Sequence, residues 1–212
     1  LTHNSGALDL WSMEHLVRTL ADLQGMGHEV ILVSSGAIAV GTAKLGLSER
    51  PKELRMKQAA AAVGQCRMMH IYDKFFSEYN RSMAQILLTG DDVEDPERAE
   101  HLSNTFSALL EMGVIPVVNE NDSVSSAEIE TGRHNDTLSA IVAELCRADL
   151  LVLLSDIDGL YDADPKTHPE AKLLHQVTEL TPEILEMAGG AGSWRGTGGM
   201  ATKLSAARIA ME

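Results

Sequence analysis

Glu29-Val30-Ile31-Leu32-Val33-Ser34-Ser35-Gly36-Ala37-Ile38 is the stretch that decides the fold class. Its first five residues are rich in β-branched side chains and almost wholly apolar, as expected of a strand buried on both faces. Two serines and a glycine then make a turn, and from Ala37 the pattern is helical. A buried strand that passes through a small polar turn into a helix is the unit from which parallel α/β sheets are built.

The unit recurs in both directions. Upstream, Met13, Leu16, Val17, Leu20 and Leu23 repeat at helical spacing, and Gly25 and Gly27 supply a stop. Downstream, a long helix is expected from Pro51 and Lys52 to about Tyr79, with Gly64 interrupting or kinking it. Met83 to Leu88 reads as a second strand, and Thr89 to Asp95 as a polar, acidic loop. Pro96 suits the first turn of a helix ending near Met112, with Gly113 as its cap. Val114 to Val118 is a third strand, and Asn119 to His134 is polar and irregular. A helix is expected from Asp136 to Arg147, then a fourth, uniformly apolar strand from Leu150 to Leu154. Ala188 to Gly199 is a glycine-rich loop within the domain, leading into a last helix. The expectation is one large α/β domain over residues 1–212, with a mainly parallel sheet covered by helices on both sides.

Charge narrows the partners. The 212 residues carry a net charge of −14, a field that repels nucleic acid. It equally repels small anionic substrates, so a site for them needs lysines, helix N-termini and backbone N–H groups that reverse the potential locally. Cys66 and Cys146 form no close pair, which suits a reducing cytosol. No run approaches ~18 apolar residues, so no membrane span is expected, and Leu1-Thr2-His3-Asn4 has no signal-peptide pattern.

Ligands of parallel sheets gather beyond the carboxyl ends of the strands, and a polar turn is expected at three of those ends. Ser34-Ser35-Gly36 can turn N–H groups and hydroxyls toward an anion, or serve as an ordinary helix cap. Asn119-Glu120-Asn121-Asp122 offers amides and a carboxylate suited to a zwitterionic amino acid, or a solvated turn. Ser155-Asp156-Ile157-Asp158-Gly159-Leu160-Tyr161 holds carboxylates for Mg²⁺ or a nucleotide, or is again a turn; Tyr161 stands where an EF-hand needs glycine. Asn135-Asp136 opens a helix, where Asp is by itself a good cap.

Gly196-Thr197-Gly198-Gly199-Met200-Ala201-Thr202-Lys203 is the strongest single element. Glycines let the main chain approach phosphates, and the following helix points its N-terminus at them, with Lys203 one turn in. It is no Walker A loop, lacking Gly-Lys-Ser/Thr, and no strand precedes it as a dinucleotide fingerprint requires. Zinc-protease, zinc-finger and hydrolase-elbow motifs are also missing.

In this order the pieces resemble the glutamate 5-kinases of the amino acid kinase superfamily. The resemblance rests on Ser34 to Ala39, Lys57-Gln58-Ala59-Ala60-Ala61-Ala62-Val63-Gly64-Gln65, Asn119 to Asp122, Asn135-Asp136 with Leu138-Ser139-Ala140, Asp158 to Tyr161, and Gly196 to Lys203. It implies a three-layer α/β/α sandwich, with glutamate toward the N-terminal half and ATP toward the C-terminal half. It implies Ser35, Asp122 and Asn135 as glutamate contacts, Asp136 as organiser of the catalytic lysines, and Lys203 as a catalytic residue. Ser155 and Asp156 are implied near the nucleotide, and Thr197, Gly198, Gly199, Met200, Ala201, Thr202 and Lys203 as the ATP phosphate loop. Mg²⁺ with ATP, a homo-oligomer (dimer or tetramer), a cytoplasmic location and feedback inhibition by proline come with it.

Two departures are expected. The chain opens just beyond the family's first strand with its Lys-x-Gly-Ser/Thr phosphate contact, and stops soon after Lys203, before the end of the kinase domain or a PUA domain. Other readings left open are acetylglutamate kinase, the kinase half of a pyrroline-5-carboxylate synthase, and a non-catalytic module sensing glutamate, proline or nucleotide.

Overall fold

A computed structural model describes residue 2 and residues 7–125, 135–188 and 199–211. The chain divides into two compact units, Leu1–Thr131 and Gly132–Glu212.

In the first unit the apolar spacing around Met13 becomes helix α1 (Leu10–Gly25), whose start is fixed by the Asp9 carboxylate accepting from the Ser12 backbone N–H. Three parallel strands follow: β1 (Leu32–Val33), β2 (Ser82–Leu88) and β3 (Val114–Glu120), in the order β1-β3-β2. The ladder of β1 is shorter than the expected Glu29 to Val33, although Val30 is buried. Strand β3 runs two residues beyond Val118, because Leu87 and Leu88 of β2 pair with Asn119 and Glu120.

Alternation along the central strand separates two layers of helix. Ile115 and Val117 enter the core shared with Met13 and Val17 of α1 and with residues of α2 (Ala37–Lys44) and α3 (Leu54–Glu78). Pro116 and Val118 face the other way, and α5 (Pro96–Glu111) packs along β3, with Phe106 buried. Helices on both sides of a parallel sheet give the expected α/β sandwich.

Two elements of this unit differ from expectation. Gly64 does not interrupt α3, which is continuous for 25 residues. It marks a close helix crossing: a Cβ there would lie 1.8 Å from the Ala37 carbonyl oxygen, and one on Gly41 of α2 would lie 1.7 Å from that of Ala60. The acidic stretch after β2 is a short helix, α4 (Gly90–Glu94), not a loop. Thr89 and Asp92 form a capping box, the Thr89 N–H and Oγ1 both donating to Asp92 Oδ2 at 2.8 and 2.6 Å.

The second unit contains α6 (Asn135–Leu145), α7 (Pro182–Met187) and α8 (Met200–Met211). Helices α6 and α8 pack together, burying Ser139, Ala140 and Val142 of one and Leu204 and Ala206 of the other. Tyr161 and Leu173 form an isolated antiparallel bridge. Leu150 to Leu154, expected as a buried fourth strand, has no ladder partner among the described residues, and Leu150, Val152 and Leu154 are exposed. An apolar run signals a demand for burial, but a strand exists only where another strand's N–H and C=O groups meet it.

Candidate functional site

In the first unit, parallel pairing brings the carboxyl ends of all three strands to one rim. The Ser34 N–H continues the β1 ladder by donating to Val118 O at 2.9 Å, and the Asn121 N–H donates to Leu88 O at 2.7 Å. The turns after β1 and β3 are thus tied to the neighbouring strand. The two serines divide their work. Ser34 is buried, its hydroxyl 2.8 Å from that of Tyr72 on α3, whereas Ser35 is exposed at the rim. Gly36 follows with φ of 101°, a left-handed conformation that glycine adopts without strain, and α2 starts from it.

Behind the β3 turn lies a buried polar group. Asn119 Nδ2 donates to Gln65 Oε1 of α3 at 2.9 Å. Asp122 is only 7% exposed, and its Oδ1 has no hydrogen-bond partner among the described residues. Burial, with Glu120 adding to it, pushes the Asp122 carboxyl up to about 6, while Arg50 acts in the opposite direction. A carboxylate held in this state gains from a cation that approaches it.

In the second unit Asp136, a helix cap if the dipeptide is read alone and a lysine organiser by the family resemblance, reaches across to the neighbouring helix. Asp136 is the second residue of α6, and its oxygens accept from α8: Thr202 Oγ1 at 2.7 Å, and Lys203 Nζ at 3.1 and 3.2 Å. This ion pair is about one-fifth exposed on each side. Both of these Lys203 contacts run to the one carboxylate, out of the three donors an ammonium carries. Because Thr202 and Lys203 lie in the first turn of α8, the same place carries the positive end of that helix.

The expected site residues therefore fall into separate groups. Asp136, Thr202 and Lys203 are brought together, with Asn135 beside Asp136, and Gly199, Met200 and Ala201 open α8. Thr197 and Gly198 lie outside the described residues. Ser155 and Asp156 are exposed, and no hydrogen bond among the described residues joins them to Asp136 or Lys203. A surface cavity of about 360 Å³ near Leu174, Val177 and Ile184 contains none of the expected site residues. In the sequence Gln65 stands out only as the last residue of the Lys57–Gln65 motif. The signal for it is spacing: Ala61, Gly64, Gln65, Met68 and Tyr72 share the buried stripe of α3, where an amide is out of place without a task.

The first unit thus carries a parallel α/β sheet, and the second a lysine paired with an aspartate at a helix N-terminus, where an anion is favoured. The chain belongs to the amino acid kinase family, whose profile matches residues 1–212. Among similar proteins, the glutamate 5-kinase of Clostridium perfringens is 55% identical over 213 residues, covering 99% of this chain and 79% of the relative. That of Clostridium acetobutylicum is 56% identical over 212 residues, covering 100% and 79%. The glutamate 5-kinase of Carboxydothermus hydrogenoformans is 57% identical over 212 residues, all of this chain but 57% of the relative.

Proposed function

We propose that this protein transfers the γ-phosphoryl group of ATP to the side-chain carboxylate of glutamate, giving glutamyl 5-phosphate and ADP, the first step of proline biosynthesis. The observation that carries the reading is the Lys203–Asp136–Thr202 cluster at the start of α8, in a chain so similar to glutamate 5-kinases. A glutamate side-chain oxygen attacks the γ-phosphorus in line. The bond from phosphorus to the bridging oxygen breaks, and ADP leaves with its electron pair. The attacking carboxylate is already ionised, so neither a general base nor a protein nucleophile is needed. The work left for the protein is positioning and charge neutralisation.

Lys203 neutralises charge on the transferring group, and Asp136 holds its ammonium in place. Gly199, Met200, Ala201 and Thr202, with Thr197 and Gly198 before them, form the phosphate loop, and Ser155 and Asp156 stand by the nucleotide. Ser35 and Asp122 take the amino acid, Asp122 accepting from its ammonium, and Asn135 is a further amide for the substrate. Mg²⁺ enters with ATP as part of the substrate. Among the described residues no three His, Cys, Asp or Glu side chains converge on a metal position, and both Asp136 oxygens are engaged. On the same reading the protein is cytoplasmic, forms a dimer or tetramer and is inhibited by proline. Among the described residues, no helix is long and apolar enough to cross a membrane.

The test is ADP formation by the purified product of the complete reading frame, with glutamate, acetylglutamate, aspartate and carbamate as acceptors. Glutamate should be the preferred acceptor by a wide margin. Turnover of acetylglutamate instead would select the acetylglutamate kinase reading, and nucleotide binding without turnover would select a sensor.

A further inference from the structure

The register of β1 on β3, Leu32 opposite Val117 and Val33 opposite Val118, sets Ser34 beside Asn119 at the carboxyl ends of the two strands. Side chains alternate along a strand. Ser34 therefore continues the face of Leu32, and Asn119 that of Ile115 and Val117, the face packed against α3. Two polar residues thus end an apolar face, and both are buried, Ser34 at 3% exposure and Asn119 at 2%. Helix α3 answers each of them. Its Tyr72 hydroxyl lies 2.8 Å from Ser34 Oγ, and its Gln65 Oε1 accepts from Asn119 Nδ2 at 2.9 Å. The backbone ties the same two residues to the sheet, the Ser34 N–H donating to Val118 O and Asn119 pairing with Leu87. Each turn leaves the sheet from a residue held twice, once by a strand and once by α3.

Packing alone does not explain Tyr72. It is 0% exposed, on a buried stripe with Met68 and Phe76. Phenylalanine would fill the same volume with no hydroxyl to desolvate, as Phe76 does one turn further on. Burial pushes the Tyr72 phenol up, so it is neutral at physiological pH and can donate or accept. We propose that Tyr72 is a positioning residue: its hydroxyl holds Ser34, and through Ser34 it sets where Ser35 stands relative to the turn that carries Asp122. This rests on the kinase reading, in which Ser35 and Asp122 take the amino acid, and deepens it by naming what fixes their spacing. The reference point is Gln65 on the same helix, which holds Asn119 and lines with Asp122 a cavity of about 10 Å³. One helix thus holds both turns, and a contact displaced by only ~1 Å is enough to weaken binding and reaction.

The experiment compares the wild type, Tyr72→Phe, Ser34→Ala and the double variant, each as the product of the complete reading frame. ADP formation is measured with glutamate and ATP varied in turn, and the thermal midpoint is measured alongside. Tyr72→Phe should raise the glutamate KM by about 3- to 10-fold, the range for one hydrogen bond between neutral groups, and leave the ATP KM within about twofold. Replacing both hydroxyl partners by apolar groups of like shape is nearly neutral for stability. The double variant should therefore keep a midpoint close to that of the wild type while its glutamate KM stays raised. A hydroxyl pair that only stabilises the fold makes the opposite prediction, the glutamate KM returning with the midpoint. An unchanged glutamate KM in folded Tyr72→Phe, its recovery in the double variant, or a parallel rise of both KM values overturns the proposal and leaves the kinase reading standing. A wild type that does not phosphorylate glutamate overturns both.

Discussion

Three side chains explain why Lys203 is more than a surface lysine. Asp136 projects from the first turn of α6 and meets Thr202 and Lys203 in the first turn of α8, so two helix starts and an ion pair share one place. Lys203→Ala is expected to lower kcat by ~10²-fold or more, the scale for removing one preorganised donor to charge developing in a transition state. Steady-state kinetics with saturating glutamate and ATP check this; near-normal kcat would reduce the cluster to a structural ion pair. Asp122 makes a prediction of opposite sign for stability. Its carboxyl is raised from 3.8 to about 6 by burial and by Glu120. Between those values the folded chain binds more protons than the unfolded one, so stability contributed here is present at low pH and lost as pH rises through about 6. Asp122→Asn should therefore raise stability at pH 7, by about 1–2 kcal/mol after solvent screening is allowed for, while raising the glutamate KM. Urea unfolding at pH 4.5 and pH 7 gives the first quantity, and the gain should shrink at the lower pH. The apparent glutamate affinity of the wild type should also weaken as pH falls through about 6, where Asp122 protonates.

At the level of elements, the crossing of α2 over α3 determines where the Ser34–Ser35 turn is held. Gly41 and Gly64 let the two backbones touch, and Tyr72 on the same α3 stripe bonds Ser34. In an exposed helix Gly64→Ala would help, since alanine favours helix. Here the added methyl would meet the Ala37 carbonyl oxygen at 1.8 Å. Separation of the helices is expected to cost roughly 1–3 kcal/mol, the usual cost of overpacking, and to shift Ser35. A lowered thermal midpoint together with a raised glutamate KM is the expected outcome; a raised midpoint would contradict the packing. This pair of contacts was not legible in the sequence. A glycine in a helical run signals either a break or a close approach, and only the neighbouring helix decides between them. The same holds for Thr89 to Asp95, where acidity suggested a loop and the Thr89–Asp92 capping box makes a helix instead.

Over the whole molecule, a net charge of −14 sets a repulsive field for two anionic substrates. Lys203 and the start of α8 oppose it at short range, while the rest of the surface acts at long range. Salt screens the long-range part more than the contact. Raising ionic strength from ~10 to ~150 mM should therefore increase kcat/KM for glutamate by about two- to fivefold at fixed pH. A steep decrease would show that attraction, not repulsion, dominates the approach.

By itself the sequence determined the alternation of apolar strands and amphipathic helices, the parallel sheet, and the rim on which Ser35 and Asp122 stand. Those features follow from periodicity and from turn chemistry, which are local. It also contained the residues of the α8 start, though not their contacts: taken alone Asp136 reads as a cap, and only the packing of α8 sets Thr202 and Lys203 against it. Only the tertiary structure decided that Ser34 is buried against Tyr72 while Ser35 is exposed, that Gly64 marks a contact, and that Gln65 shares a cavity with Asp122. It also left Leu150 to Leu154 without a ladder partner among the described residues, against its apolar pattern. The physical reason is the same throughout. Hydrogen-bond partners, desolvation and steric contact are properties of pairs of segments, and a single segment's pattern states only what it requires of its partner.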